Sequence, residues 1–99
     1  MYDNGQGVVQ DYAEAVKWYR LAAEQGYAQA QNNLGLMYRK GQGVVQDFVY
    51  AHMWMNIAAA SGNSRAALNR DSNATQMTPA QIAEAQKLAR EWMKEHPSQ

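Results

Sequence analysis

No cysteine occurs in this sequence, which excludes a disulfide framework and any thiolate metal site but leaves the compartment open. Net charge is missing too. Nine Lys and Arg balance nine Asp and Glu, so bulk charge cannot drive binding to nucleic acid or an anionic membrane. The apolar runs fall far short of the roughly 20 residues a bilayer span needs. No signal peptide is visible, so the expectation is a soluble protein, cytoplasmic, or exported if a leader has been removed. Strand signals are absent: Val8-Val9 and Val44-Val45 are too short to build a sheet. At 99 residues the chain is one domain at most, with a thin core.

What the sequence does contain is a repeat. GQGVVQD spans residues 5–11 and again 41–47, an offset of 41 − 5 = 36. Ala15 and Ala51, Trp18 and Trp54, Ala22 and Ala58, Ala23 and Ala59, and Gly26 and Gly62 keep that offset. A period between about 20 and 50 residues marks stacked supersecondary units.

Each copy predicts a loop followed by a helix. Asp11 is an N-cap candidate, and Asp11-Tyr12-Ala13-Glu14 has the spacing of a capping box. Tyr12, Ala15, Val16, Tyr19, Ala22 and Ala23 form one face of a helix over 12–25, widened by Trp18. Gly26 ends it. A helix over 28–40 follows, with Ala30, Leu34, Met37 and Tyr38 as its buried stripe. Gly35 in its middle costs about 1 kcal/mol relative to alanine, which makes sense if another backbone approaches there. Gln29, Asn32, Leu36 and Arg39 lie on the other side.

The second copy predicts a helix over 48–61, more apolar than the first and so covered on more sides. Asn63 or Ser64 caps a short polar helix to about residue 75. Thr78-Pro79-Ala80-Gln81 is a capping box with proline at the first helical position. It opens a helix over 79–95 whose Ile82, Ala85, Leu88, Ala89, Trp92 and Met93 face inward. Met1 to Asn4 reads as the stub of an earlier helix. The expected organisation is therefore a single repeat domain. Residues 1–26 form a partial unit lacking its first helix, 27–62 a complete unit, 63–95 a terminal helix pair and 96–99 a tail. The fold class is all-α, an α/α superhelix of antiparallel helix pairs.

These residues resemble the Sel-one-like repeat family, α/α solenoids related to tetratricopeptide repeats and common in bacteria. Ala30, Leu34, Gly35, Tyr38, Gly41, Gly43, Val44, Asp47, Ala51, Trp54, Ala58, Ala59 and Gly62 give one complete copy of its pattern. Tyr2, Gly5, Gly7, Val8, Asp11, Ala15, Trp18, Ala22, Ala23 and Gly26 give a second without its first helix. The stretch from Met77 to Trp92 is similar to the closing helix of bacterial members. The resemblance implies a non-enzymatic scaffold or adaptor that binds proteins or peptides. Some cysteine-rich members have been linked to β-lactam binding. This chain has no cysteine and no Ser-x-x-Lys, so that activity is not carried over.

Several motifs have bland readings that outweigh sharper ones. GQGVVQD lacks the third glycine of a phosphate loop, with Gln10 and Gln46 in its place, and reads as an interhelical loop. Asp11 and Asp47 read as helix caps. Trp18, Trp54 and Trp92 read as packing between helices, and the methionines as gap-fillers. His52 reads as partly exposed and His96 as a solvated tail residue; no metal site is expected. Glu84, Lys87 and Glu91 fit helix-surface ion pairs. No nucleophile, base and orienter can be assembled, so no catalytic residue and no cofactor is expected, and a hydrolase is only a remote alternative. The leading expectation places a protein or peptide partner on the concave side, lined by the first helix of each unit. Gln29, Asn32, Leu36 and Arg39 would bind it, continued by Arg65, Leu68 and Asn69. The rival is self-association through the partly uncovered helix over 12–25, by end-to-end stacking or helix exchange.

Overall fold

The structure, a computed structural model, describes residues 11–97. Five helices run in order: α1 (Tyr12–Glu24), α2 (Ala28–Lys40), α3 (Phe48–Ala60), α4 (Ser64–Ala74) and α5 (Pro79–Glu95), with no strand among the described residues. They pack α1 on α2, α2 on α3, and α3 on both α4 and α5. The fold is an all-α solenoid of helix pairs. Gly5, Gly7 and the expected stub over 1–4 lie outside the described residues.

The heptapeptide owes its composition to how the loop is stitched to the helices beside it. Gly41 takes a left-handed conformation (φ 71°), and its N–H donates to the Met37 carbonyl. Gly43 is also left-handed (φ 78°), and a Cβ there would collide with the Tyr12 carbonyl and stand 2.9 Å from Val16 Cγ2. Only glycine suits both demands. Val44 packs against the core while Val45 is exposed. Gln46 Nε2 donates to the Arg39 carbonyl at 2.8 Å, satisfying one of the free carbonyls at the end of α2. Asp47 then caps α3 by accepting from the Tyr50 N–H at 3.0 Å.

The core is built around α3, seven of whose thirteen residues are buried. Leu34, Met55 and Ile57 are fully buried with Val16, Ala23, Trp54 and Ala89 around them. Burying each large apolar side chain contributes about 1.5–3 kcal/mol. Gly35 is where α2 meets α3. A Cβ at Gly35 would sit 2.9 Å from Met55 Cγ and 3.0 Å from the Ala51 carbonyl oxygen. The helix 79–95 opens with both halves of its capping box: Thr78 Oγ1 accepts from Gln81 N at 3.1 Å, and Gln81 Oε1 accepts from Thr78 N at 2.9 Å.

Several expectations need correction. Trp54 is buried and its ring meets Trp92 edge-on at 5.6 Å. Trp18, one period earlier, is instead 59% exposed and donates its indole N–H to Glu14 Oε2 at 2.8 Å. The asymmetry arises because α5 covers Trp54, whereas no described helix lies along Trp18. Glu14 is thereby diverted from the capping box, of which only the Asp11 half forms. The expected pairs of Glu84 with Lys87 and Lys87 with Glu91 do not close. Among the described residues the ion pair between permanently charged side chains is Arg70–Asp71, and His96 Nε2 lies 3.4 Å from Glu24 Oε1. His96 is no free tail residue: its ring stacks on Trp92 at 3.9 Å. His52 is buried, not partly exposed.

Candidate partner-binding face

The first helices of successive units, α2 and α4, lie side by side. α2 is a run of amides and small residues, so it has little apolar surface to spend outside the Ala30, Leu34, Met37 and Tyr38 stripe. Asn63 starts α4 by accepting from the Ala66 N–H at 2.8 Å. Ala66 and Asn73 are the buried residues of α4, leaving most of that helix accessible.

The seven candidate residues fall into three groups. Gln29, Arg65 and Leu68 are exposed, Leu68 to 71%. Gln29 donates to Asn33 Oδ1 one turn on. Leu36, Arg39 and Asn69 are half-buried. Leu36 rests against the core, and Arg39 Nη2 donates to Ser72 Oγ at 3.2 Å, tying α2 to α4.

Asn32 was expected to face a partner but is only 1% exposed. The neighbouring helix covers it: Asn69 Nδ2 donates to Asn32 Oδ1 at 3.1 Å. Asn32 therefore works beneath the surface, fixing Asn69, while its own Nδ2 has no partner. The structure thus brings Asn32 to Asn69 and Arg39 to α4. Sequence reading missed Ser72. In the 36-residue frame Asn69 aligns with Asn33, not Asn32, so helix packing alone sets the pairing.

Behind this face, His52 of α3 is buried with Nδ1 unpartnered. Desolvation holds its pKa below the usual histidine value, aided by the Arg70 guanidinium; Asp71 and its own backbone bond oppose this. Arg70 donates to Asn56 Oδ1 at 3.2 Å and to Asp71. No group of three or more His, Asp or Glu side chains among the described residues is placed to hold a metal ion. No described helix is long and apolar enough to cross a membrane.

Helix pairs repeated at a fixed period define a helical-repeat protein. The Sel1 repeat model matches residues 1–27 and 28–63, and the chain belongs to the Sel1 repeat family. A solved structure shares the fold with a TM-score of 0.84 and 35% identity, over 91% of this chain. It is a protective antigen present in uropathogenic Escherichia coli strains, displaying an SLR fold. This chain spans only 20% of that antigen's length. Among curated proteins none matches. The Sel1 repeat fold is generally a non-enzymatic scaffold.

Proposed function

We propose that this chain is a non-enzymatic adaptor that binds an extended segment of a partner protein across α2 and α4, on the concave side. The observation that carries this reading is the half-polar face along the two helices. Leu68 stands 71% exposed among Gln29, Arg65 and Asn69, with Asn69 held in place by Asn32. Amide side chains suit hydrogen bonds to a peptide backbone, an arginine suits a carboxylate, and an exposed leucine supplies an apolar anchor. The test is selection of peptides from a random library on the immobilised protein, followed by mapping of a selected peptide by NMR. Binding should perturb α2 and α4 and weaken about tenfold or more in a Gln29→Ala, Arg65→Ala, Leu68→Ala variant that melts normally. Equal binding by that variant would sink the assignment.

A second reading has its own observation. Trp18 and Leu21 are 59% and 53% exposed on α1, turned away from the buried Val16 and Ala23. Large apolar side chains in that position suit association with another copy of the chain. Sedimentation equilibrium tests it: a dimer that Trp18→Ser with Leu21→Ser converts to monomer supports this reading, and a parent that stays monomeric at high concentration rejects it.

A further inference from the structure

Away from the α2–α4 face, a cavity of about 850 Å³ opens where the C-terminal ends of α1, α3 and α5 converge. None of the seven residues discussed above lines it. Much of its wall is made of hydrogen-bond acceptors. The three helix ends each carry partial negative charge from their terminal carbonyls. Glu24 and Glu95 add carboxylates, His96 stands beside Glu24, and among the described residues neither lysine nor arginine lines the cavity. Glu24 Oε1 takes both the Trp92 indole N–H at 3.3 Å and His96 Nε2 at 3.4 Å, which leaves Oε2 for a further donor.

Gln31 supplies an independent observation. It enters the wall from α2, it is 1% exposed, and its Nε2 donates to the Ala23 carbonyl at 3.1 Å. Its Oε1 is buried with no partner. A buried acceptor without a donor is costly, so a donor delivered into the cavity would be favoured. Ile57 and Met93 give the same wall an apolar stretch.

We propose that this cavity is a second binding site, one that takes an arginine side chain from a partner polypeptide. The guanidinium carries five N–H donors in one plane and can satisfy acceptors on different sides of the cavity at once. It is also more weakly hydrated than an ammonium, so it enters a partly buried site at lower desolvation cost. The methylene stem would lie on Ile57 and Met93. The site is separate from the α2–α4 face, and either can exist without the other.

The test is NMR titration of the whole chain with N-acetyl-arginine methylamide, beside its lysine and norleucine counterparts. The arginine amide should give saturable shifts at the Gln31 side-chain amide and the Trp92 indole N–H. The lysine compound should bind at least about threefold more weakly, and the norleucine compound should not saturate. Glu24→Gln with Glu95→Gln, both at accessible positions, should weaken binding about fivefold or more while the spectrum stays folded. The proposal is overturned by any of three results. These are no saturation at those two groups, equal binding of the lysine or norleucine compound, or undiminished binding by the folded double variant.

Discussion

At Gly35 a single hydrogen atom decides how closely two helices approach. Alanine there gains about 1 kcal/mol of helix propensity. Its Cβ, however, meets Met55 Cγ at 2.9 Å and the Ala51 carbonyl oxygen at 3.0 Å. The methionine can swing aside; the backbone of α3 cannot. Overpacking of this kind costs about 1–3 kcal/mol, so Gly35→Ala should lower stability by about 1 kcal/mol net and Gly35→Val by more, read from urea midpoints. His52 offers a second test at this scale. Its folded pKa is depressed by burial and by Arg70, so the unfolded chain binds the proton more readily. Its stabilising contribution is present in full above the unfolded value near 6.5 and is lost as pH falls through the folded value. The urea midpoint should drop between neutral and mildly acidic pH, and His52→Gln should reduce that drop. Gly35 was legible in the sequence because a glycine inside a helix has few reasons to be there. Asn32 and His52 were not. Both are polar residues on faces that look solvated until α4 is laid over them, and residue type alone cannot reveal a covering helix.

The helices themselves were the most legible elements, because caps and stops are local chemistry. Asp47, Asn63 and Thr78 each accept from the N–H three residues on, and α1 and α3 end one residue before the expected bound, at Glu24 and Ala60. The capping box of α5 is the fullest case, with both reciprocal bonds formed. Thr78→Ala removes one of them and should cost about 1 kcal/mol. Hydrogen exchange should quicken over the first turn of α5, while the Gly35 contact between α2 and α3 is untouched. Equivalence between repeat units is where local reading failed. Trp18 and Trp54 share a register, yet one is exposed and the other buried. The difference belongs to what stacks against each helix, not to the helix.

Across the whole molecule, stability should follow how many neighbours each helix has. The shortest extent of the structure is 21 Å, two layers of helices about 10 Å across. Within that slab α3 packs on α2, α4 and α5, while among the described helices α1 packs chiefly along α2 and its Glu24 reaches Trp92 and His96 of the α5 end. The cavity beside that contact was not legible in the sequence for the same reason, since Glu24 and Trp92 stand 68 residues apart and only stacking brings them together. In stacked repeats each unit is held by its own packing plus its interfaces with neighbours, so partly folded states can form by loss of an end element. Met55 is fully buried on α3 and lies against Gly35 of α2, so Met55→Ala opens a cavity in the central helix and should cost about 2–5 kcal/mol. It should raise hydrogen exchange through all helices together. Val16→Ala removes the largest buried contact of α1 and should raise exchange in α1 while α3 and α5 keep their protection. If Val16→Ala loosens α3 as much as α1, the chain unfolds as one unit, and α1 belongs to the core on equal terms with α3.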